Sequence, residues 1–121
     1  MKPTSKTINL SKKNFLNTLD QAREKFKDRL FTNRDMNVYN FEDNVLKHKH
    51  KFDFYSNDLN LAIKLENNFS HFDEFDNPLG MKEFYLEKIN LKVLKVSDYQ
   101  VLVDLDQVIR FIKRNYIFKV L

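Results

Sequence analysis

Two short runs constrain the fold more than any other part of the chain: Lys51-Phe52-Asp53-Phe54-Tyr55 and Leu61-Ala62-Ile63-Lys64-Leu65-Glu66. Between them stands Ser56-Asn57-Asp58, a turn signal. In the second run Leu61, Ile63 and Leu65 alternate with Ala62, Lys64 and Glu66. That is the period of a strand with one apolar face. If the runs pair as a hairpin, Asp53, Lys64 and Glu66 converge on one side of a sheet.

The chain has 121 residues, 42% of them hydrophobic, enough for one domain with one packed core. No apolar run approaches the ~18 residues that span a bilayer, and Met1–Lys6 is polar, so neither a membrane span nor a secretory leader is expected. A cytoplasmic location is the default. The absence of cysteine excludes a disulfide framework and a thiolate metal site. Net charge is +4. Residues 1–51 hold twelve Lys/Arg against six Asp/Glu, and residues 52–121 nine against eleven. A basic first half suits a phosphate backbone, and equally a solubilising surface. Glycine occurs once and proline twice, so the abundant asparagines are expected at the left-handed turn positions.

Residues 1–10 read as a loose arm ahead of a single domain over 11–121. From a cap at Ser11, the spacing of Phe15, Leu19, Ala22, Phe26 and Leu30 predicts a helix ending near Thr32-Asn33. Charged residues such as Asp20, Arg23, Lys27 and Asp28 fill its other face. Residues 33–44 read as a loop or short edge strand. Val45 to Tyr55 reads as one strand, with Lys47, Lys49, Lys51 and Asp53 on one face and Leu46, His48, His50, Phe52 and Phe54 on the other. Leu59 to Glu66 is the next strand. A loop over 67–78 carries His71 and the Asp73-Glu74-Asp76 cluster. A helix from Leu79 to Ile89 is expected to bury Phe84, Tyr85 and Ile89 or Leu86, and to stop at Asn90. Leu91 to Val96 is apolar on both faces, hence a central strand, parallel to the second because a helix would join them. Ser97-Asp98 caps a last helix, with Val101, Leu102, Leu105, Val108, Ile109 and Ile112 as its apolar face. The tail Tyr116–Leu121 extends that helix or adds an edge strand. The expected order is α-β-β-α-β-α, an α/β fold with a mixed sheet flanked by helices.

From Phe41 onward the residues take a familiar order. Phe41-Glu42-Asp43-Asn44 and Phe52-Asp53-Phe54-Tyr55 are followed by Ile63-Lys64-Leu65-Glu66-Asn67 and His71. Lys82, Leu86, Asn90, Val93-Leu94-Lys95 and Val101-Leu102 complete the series. Over about two thirds of its length the chain resembles the Vsr-like endonuclease-domain family of the PD-(D/E)XK nucleases, and from Lys82 to Leu102 the spacing holds without a gap. The resemblance implies a small restriction-endonuclease-like domain. It departs from the family at informative places. Lys64 stands at the first carboxylate of the second motif strand and Glu66 at the second. Glu42 and Asp43 replace two early arginines, and Lys82 and Lys95 replace two later ones, keeping the charge without the bidentate fork. Asn67 and Asn90 stand at glycine positions. The N-terminal helix offers Glu24 as the counterpart of a helix glutamate, in a register ambiguous by a residue.

Nucleases of this kind hydrolyse phosphodiesters with Mg²⁺ held on carboxylates. The resemblance therefore implies Asp53 and Glu66 as metal ligands and Lys64 at the attacking water, a swapped lysine-then-acid order. It adds His71 as a water or phosphate contact and Glu24 as an acid reaching in from the helix. The same three residues also suit a structural ion pair in which Lys64 neutralises Asp53 or Glu66. Lys47, Lys49 and Lys51, with Lys82 and Lys95, are candidates to follow a nucleic-acid backbone, or to form a charged strand that resists aggregation. His48 and His50 read as packed or sheet-edge residues rather than ligands. Three functions follow. One is a Mg²⁺-dependent DNA endonuclease or nickase. A second is a nuclease-fold module that no longer cuts and binds nucleic acid or a protein partner. The third is a homodimerising domain using the apolar tail.

Overall fold

The computed structural model describes residues 3–67 and 81–118, with side chains from Thr18 onward. Helix α1 (Pro3–Thr32) begins well before Ser11, so residues 3–10, expected as a loose arm, have helical backbone. Proline is well placed at a helix start: its φ is preset, and the N–H it lacks would have no partner there. Ala22, Phe26 and Leu30 recur every fourth residue and are fully buried. Leu19 packs beside them. The end falls where expected. The Asn33 side chain accepts from the Asp35 amide at 2.8 Å, an Asx turn that replaces the next helical bond.

Among the described residues five strands follow: β1 (Glu42–Lys47), β2 (His50–Ser56), β3 (Leu61–Glu66), β4 (Met81–Leu86) and β5 (Leu91–Ser97). They form one mixed sheet in the order β1-β2-β3-β5-β4. β1, β2 and β3 are successive antiparallel neighbours, β5 runs parallel to β3, and β4 closes the edge antiparallel to β5.

This order corrects two expectations. Val45 to Tyr55 is a hairpin rather than one strand: the chain reverses at His48-Lys49, both with positive φ (49° and 71°). Positive φ at both central residues is the two-residue turn whose twist matches that of the strands. It is ordinarily signalled by Asn-Gly, which is missing here. The expected helix over 79–89 is instead β4 and a 3₁₀ turn, Glu87–Ile89, with Leu79 outside the described residues. Phe84 faces Val93 and Leu86 faces Leu91 across the ladder. Because β5 is apolar on both faces and interior to the sheet, it needs a second neighbour, which β4 supplies. The parallel pairing of β5 with β3 stands. Within the described residues no α-helix joins them. The αβββββα order remains an α/β fold with helices on a mixed sheet.

Helices α1 and α2 (Asp98–Ile112) lie on one face. Phe26, Leu30, Val101, Leu105 and Ile109 pack there on Phe54, Ile63, Leu65, Leu94 and Val96. Phe26 and Phe54 meet ring to ring, with centroids 5.3 Å apart; burying side chains of this size contributes roughly 1.5–3 kcal/mol each. A second cluster holds Phe52, Tyr55, Ala62, Leu91 and Val93 on the opposite face, where no described α-helix contributes. Ser97 caps α2 as expected, accepting from the Gln100 amide at 3.0 Å. Asp98, 1% exposed, accepts from the Thr18 hydroxyl at 2.7 Å and ties α1 to the start of α2. Lys113–Ile117 extend α2 as a π-helical turn, with Tyr116 and Ile117 against the core. Residues 119–121 of the expected contact tail lie outside the described residues. Among the described residues, four of the six non-glycine residues at positive φ are asparagines, namely Asn40, Asn44, Asn60 and Asn90. They do the work that glycine does in most chains.

Candidate functional site

Side chains on a regular strand alternate faces, so Phe52 and Phe54 should share one. They do not. Phe54 belongs to the helix-side core and Phe52 to the opposite cluster. The partner strand changes at the same level. Asp43, opposite Phe54, reaches Lys27 on α1, whereas Val45, opposite Phe52, packs on the far cluster. Between them Asn44 has φ 56°. The hairpin is thus kinked across Asn44 and Asp53, and the kink turns Asp53 toward the helices.

There the Asp53 carboxylate has two partners. Its Oδ1 accepts from Arg23 Nε at 2.7 Å, and its Oδ2 accepts from the Leu65 backbone N–H at 2.7 Å. The second bond replaces a ladder bond. β2 pairs with β3 only from Phe54↔Ile63 to Ser56↔Leu61, and beyond that point a side chain takes the place of the strand's carbonyl. The separated strands leave a cavity of about 480 Å³, lined by Arg23, Asp43, Lys51, Asp53 and Lys64 among others. The carboxylate is 13% exposed. Arg23 also holds Asp20 at 2.7 Å. Burial works against the Arg23 charge, but the hydrogen bonds and negative charges of Asp53 and Asp20 outweigh it and raise the guanidinium pKa. Lys64 points its ammonium at the Lys51 carbonyl, 3.4 Å away.

The three residues expected on one face therefore divide. Asp53 and Lys64 share the cavity. Glu66 does not line it, and its carboxylate pairs with Lys95 at 3.3 Å. The alternation of β3 puts Lys64 and Glu66 together on the side of Ala62, opposite the helices. The kink in β2 turns Asp53 toward the helices, so the cavity in the gap between β2 and β3 is lined by Asp53 from the helix side and by Lys64 from the other. Among the described residues no group of three or more His, Asp or Glu side chains is arranged to hold a metal ion. The carboxylate pair proposed as Mg²⁺ ligands does not fit one: each acid already has a cationic partner, on opposite faces of the sheet.

Glu24 is exposed on α1 and lies outside the cavity lining. Its neighbour Arg23 reaches the site instead. The signal for Arg23 was positional: it stands four residues after Leu19 and three before Phe26, on the flank of the apolar stripe, and Lys27 repeats that placement one turn later. The expected row Lys47, Lys49, Lys51 and Asp53 does not exist, because the turn at His48-Lys49 separates its members. Lys47 lies over the Tyr55 ring at 4.8 Å, and Lys49 sits in the turn. His48 and His50 are exposed, the latter stacked on Phe52. Lys82 and Lys95 are cross-strand partners. His71 and Asp73-Glu74-Asp76 lie outside the described residues. Among the described residues no helix is long and apolar enough to cross a membrane. The chain matches no family model, no curated protein and no solved structure.

Proposed function

We propose that this chain is a nuclease-fold module that binds nucleic acid without cutting it. The observation that carries the proposal is the state of Asp53, the acid that would have to hold a metal ion. Arg23 supplies the positive charge and the Leu65 amide takes the other oxygen. Glu66 is occupied by Lys95 on the far face. A hydrolytic metal needs at least two convergent oxygen ligands and room for water, and the Arg23–Asp53 pair uses that position for a fixed guanidinium.

Incubation with supercoiled plasmid and Mg²⁺ or Mn²⁺ is expected to give no nicked or linear product. A labelled oligonucleotide is expected to bind at low salt and to dissociate as salt rises. Metal-dependent cleavage that Asp53→Ala abolishes would reverse the proposal in favour of an endonuclease. The presence of Asp53 and Lys64 in one cavity is the observation that favours that second reading. In it, Arg23 must release Asp53 before a metal can bind.

A further inference from the structure

Three lysines stand abreast on adjacent strands. Lys64 of β3 is in register with Lys95 of β5, and Lys95 with Lys82 of β4. All three fall on the face opposite the helices: Lys64 shares the parity of Ala62, Lys95 that of Val93, and Lys82 that of Phe84, all members of the far cluster or packed on it. Strands lie about 4.8 Å apart, so the row crosses the sheet over roughly 10 Å. Like charges directly opposite one another destabilise a ladder, and a row of three requires counter-charge. Among the described residues only Glu66 provides any, at Lys95. Lys64 has a backbone carbonyl at 3.4 Å, and no ion pair is formed by Lys82 among the described residues. The Lys95 ammonium lies 5.5 Å from the Phe84 ring centre, which fixes the middle of the row.

We infer that the Lys64–Lys95–Lys82 row is a docking surface for the phosphodiester backbone of nucleic acid. The inference rests on the nucleic-acid-binding reading above and deepens it by naming the surface. A polyanion supplies counter-charge beyond the one carboxylate that the described residues offer the row, with one negative charge per about 3.4 Å of each duplex strand. Strand-borne lysines are held in place before the ligand arrives, so less ordering is lost on binding than with lysines on loops. Ammonium groups act as point charges without the planar fork that reads guanine edges. Contact is therefore with phosphate, indifferent to base sequence and steeply sensitive to salt.

The test is fluorescence anisotropy with a labelled oligonucleotide, single-stranded and duplex, across a series of NaCl concentrations. Lys64→Gln/Lys82→Gln/Lys95→Gln is expected to lose about tenfold or more in affinity at low salt. Its slope of log K against log salt should be shallower by about 2–3, one phosphate contact per lysine. Lys82→Glu, a change at an exposed position that leaves the core intact, is expected to weaken binding several-fold by itself. Arg34→Gln/Arg110→Gln, exposed positions away from the row, should change affinity less than twofold. If the parent chain binds and the triple variant keeps both affinity and slope, the row is not the site, while the nucleic-acid reading survives. An equal loss in the Arg34/Arg110 variant overturns the assignment in the same way. If the parent chain binds no oligonucleotide at low salt but binds poly-glutamate, the partner is an acidic protein, and both the surface assignment and the reading beneath it fall.

Discussion

β3 has two neighbours that follow it differently. β5 stays in register from Leu61↔Lys92 to Glu66↔Ser97, six successive positions. β2 accompanies it for three and then departs at Asp53. On the β5 side, side chains alternate without fault: Leu91 and Val93 to one cluster, Leu94 and Val96 to the other, the step between 93 and 94 being the ordinary one. On the β2 side the alternation fails between Phe52 and Phe54, and an ion pair from a helix thirty residues upstream fills the gap. The continuous half of the sheet is held by backbone ladder and apolar packing. The broken half is held by Asp53, a carboxylate doing the work of a strand carbonyl. A position where a regular pattern is given up at the cost of burying charge is where inherited function would leave a trace.

The strand shared by both halves should be the most sensitive. Ile63 is fully buried and pairs with Phe54 on one side and Leu94 on the other. Ile63→Ala is expected to destabilise the fold by about 3–4 kcal/mol in urea denaturation, through lost transfer energy and the cavity left behind. A loss much below that range would mean that the two halves do not share one cooperative core.

Asp53→Ala separates the halves. It leaves the Leu65 amide without its acceptor and the Arg23 guanidinium with Asp20 alone, an expected loss of about 2–3 kcal/mol. Hydrogen exchange should localise the damage: the Leu65 amide loses protection, while β3 amides bonded to β5 keep theirs. The sign matters for function as well. A carboxylate kept for catalysis is commonly a stability burden, and its removal then stabilises the fold. Stabilisation by Asp53→Ala would therefore favour a catalytic acid over the structural role assigned here.

The same contrast explains what could be read from the sequence. β3 was legible because its local pattern and its surroundings agree: Leu61, Ile63 and Leu65 face the helices, and Ala62 faces away. The stripe of α1, the Ser97 cap and the use of asparagine in turns were legible for the same reason. The hairpin was not, because His48-Lys49 carries no turn residue. β4 was misread because Phe84, Tyr85, Leu86 and Ile89 satisfy a helical period as well as a strand period, and only the open edge of β5 decides between them. The candidate site was half legible. Asp53 and Lys64 do share a cavity, but the face of Asp53 depends on the backbone of Asn44 and on Arg23, neither of which a period-of-two argument contains.

The unsignalled turn offers a gain instead of a loss. Lys49 holds φ 71°, a conformation that costs an L-residue with a Cβ about 1 kcal/mol relative to glycine. Lys49→Gly is expected to stabilise the protein by about that amount, measured by the denaturation midpoint at unchanged m-value. A destabilised variant would indicate that the lysine side chain contributes more to the hairpin than its backbone costs.

The smallest effect at neutral pH belongs to the regular half, at its β4 edge. The Tyr116 hydroxyl, carried on the π-helical turn after α2, is partly buried and lies within the influence of Glu83. Burial first and then the Glu83 charge push its pKa above the ordinary value of 10.0. Both folded and unfolded chains keep this proton at neutral pH, so no pH dependence arises there. Above pH 10 the unfolded chain releases it while the folded chain retains it. Stability must then fall as pH rises, since the folded state binds the extra proton. Tyr116→Phe should change stability by at most about 1 kcal/mol at pH 7, the worth of a single polar contact, and should show a shallower decline in alkali than the parent. Parallel alkaline declines in the two proteins would mean that Tyr116 ionises as freely folded as unfolded. The β4 edge would then be more open to water than the continuity of the β3–β5–β4 ladder implies.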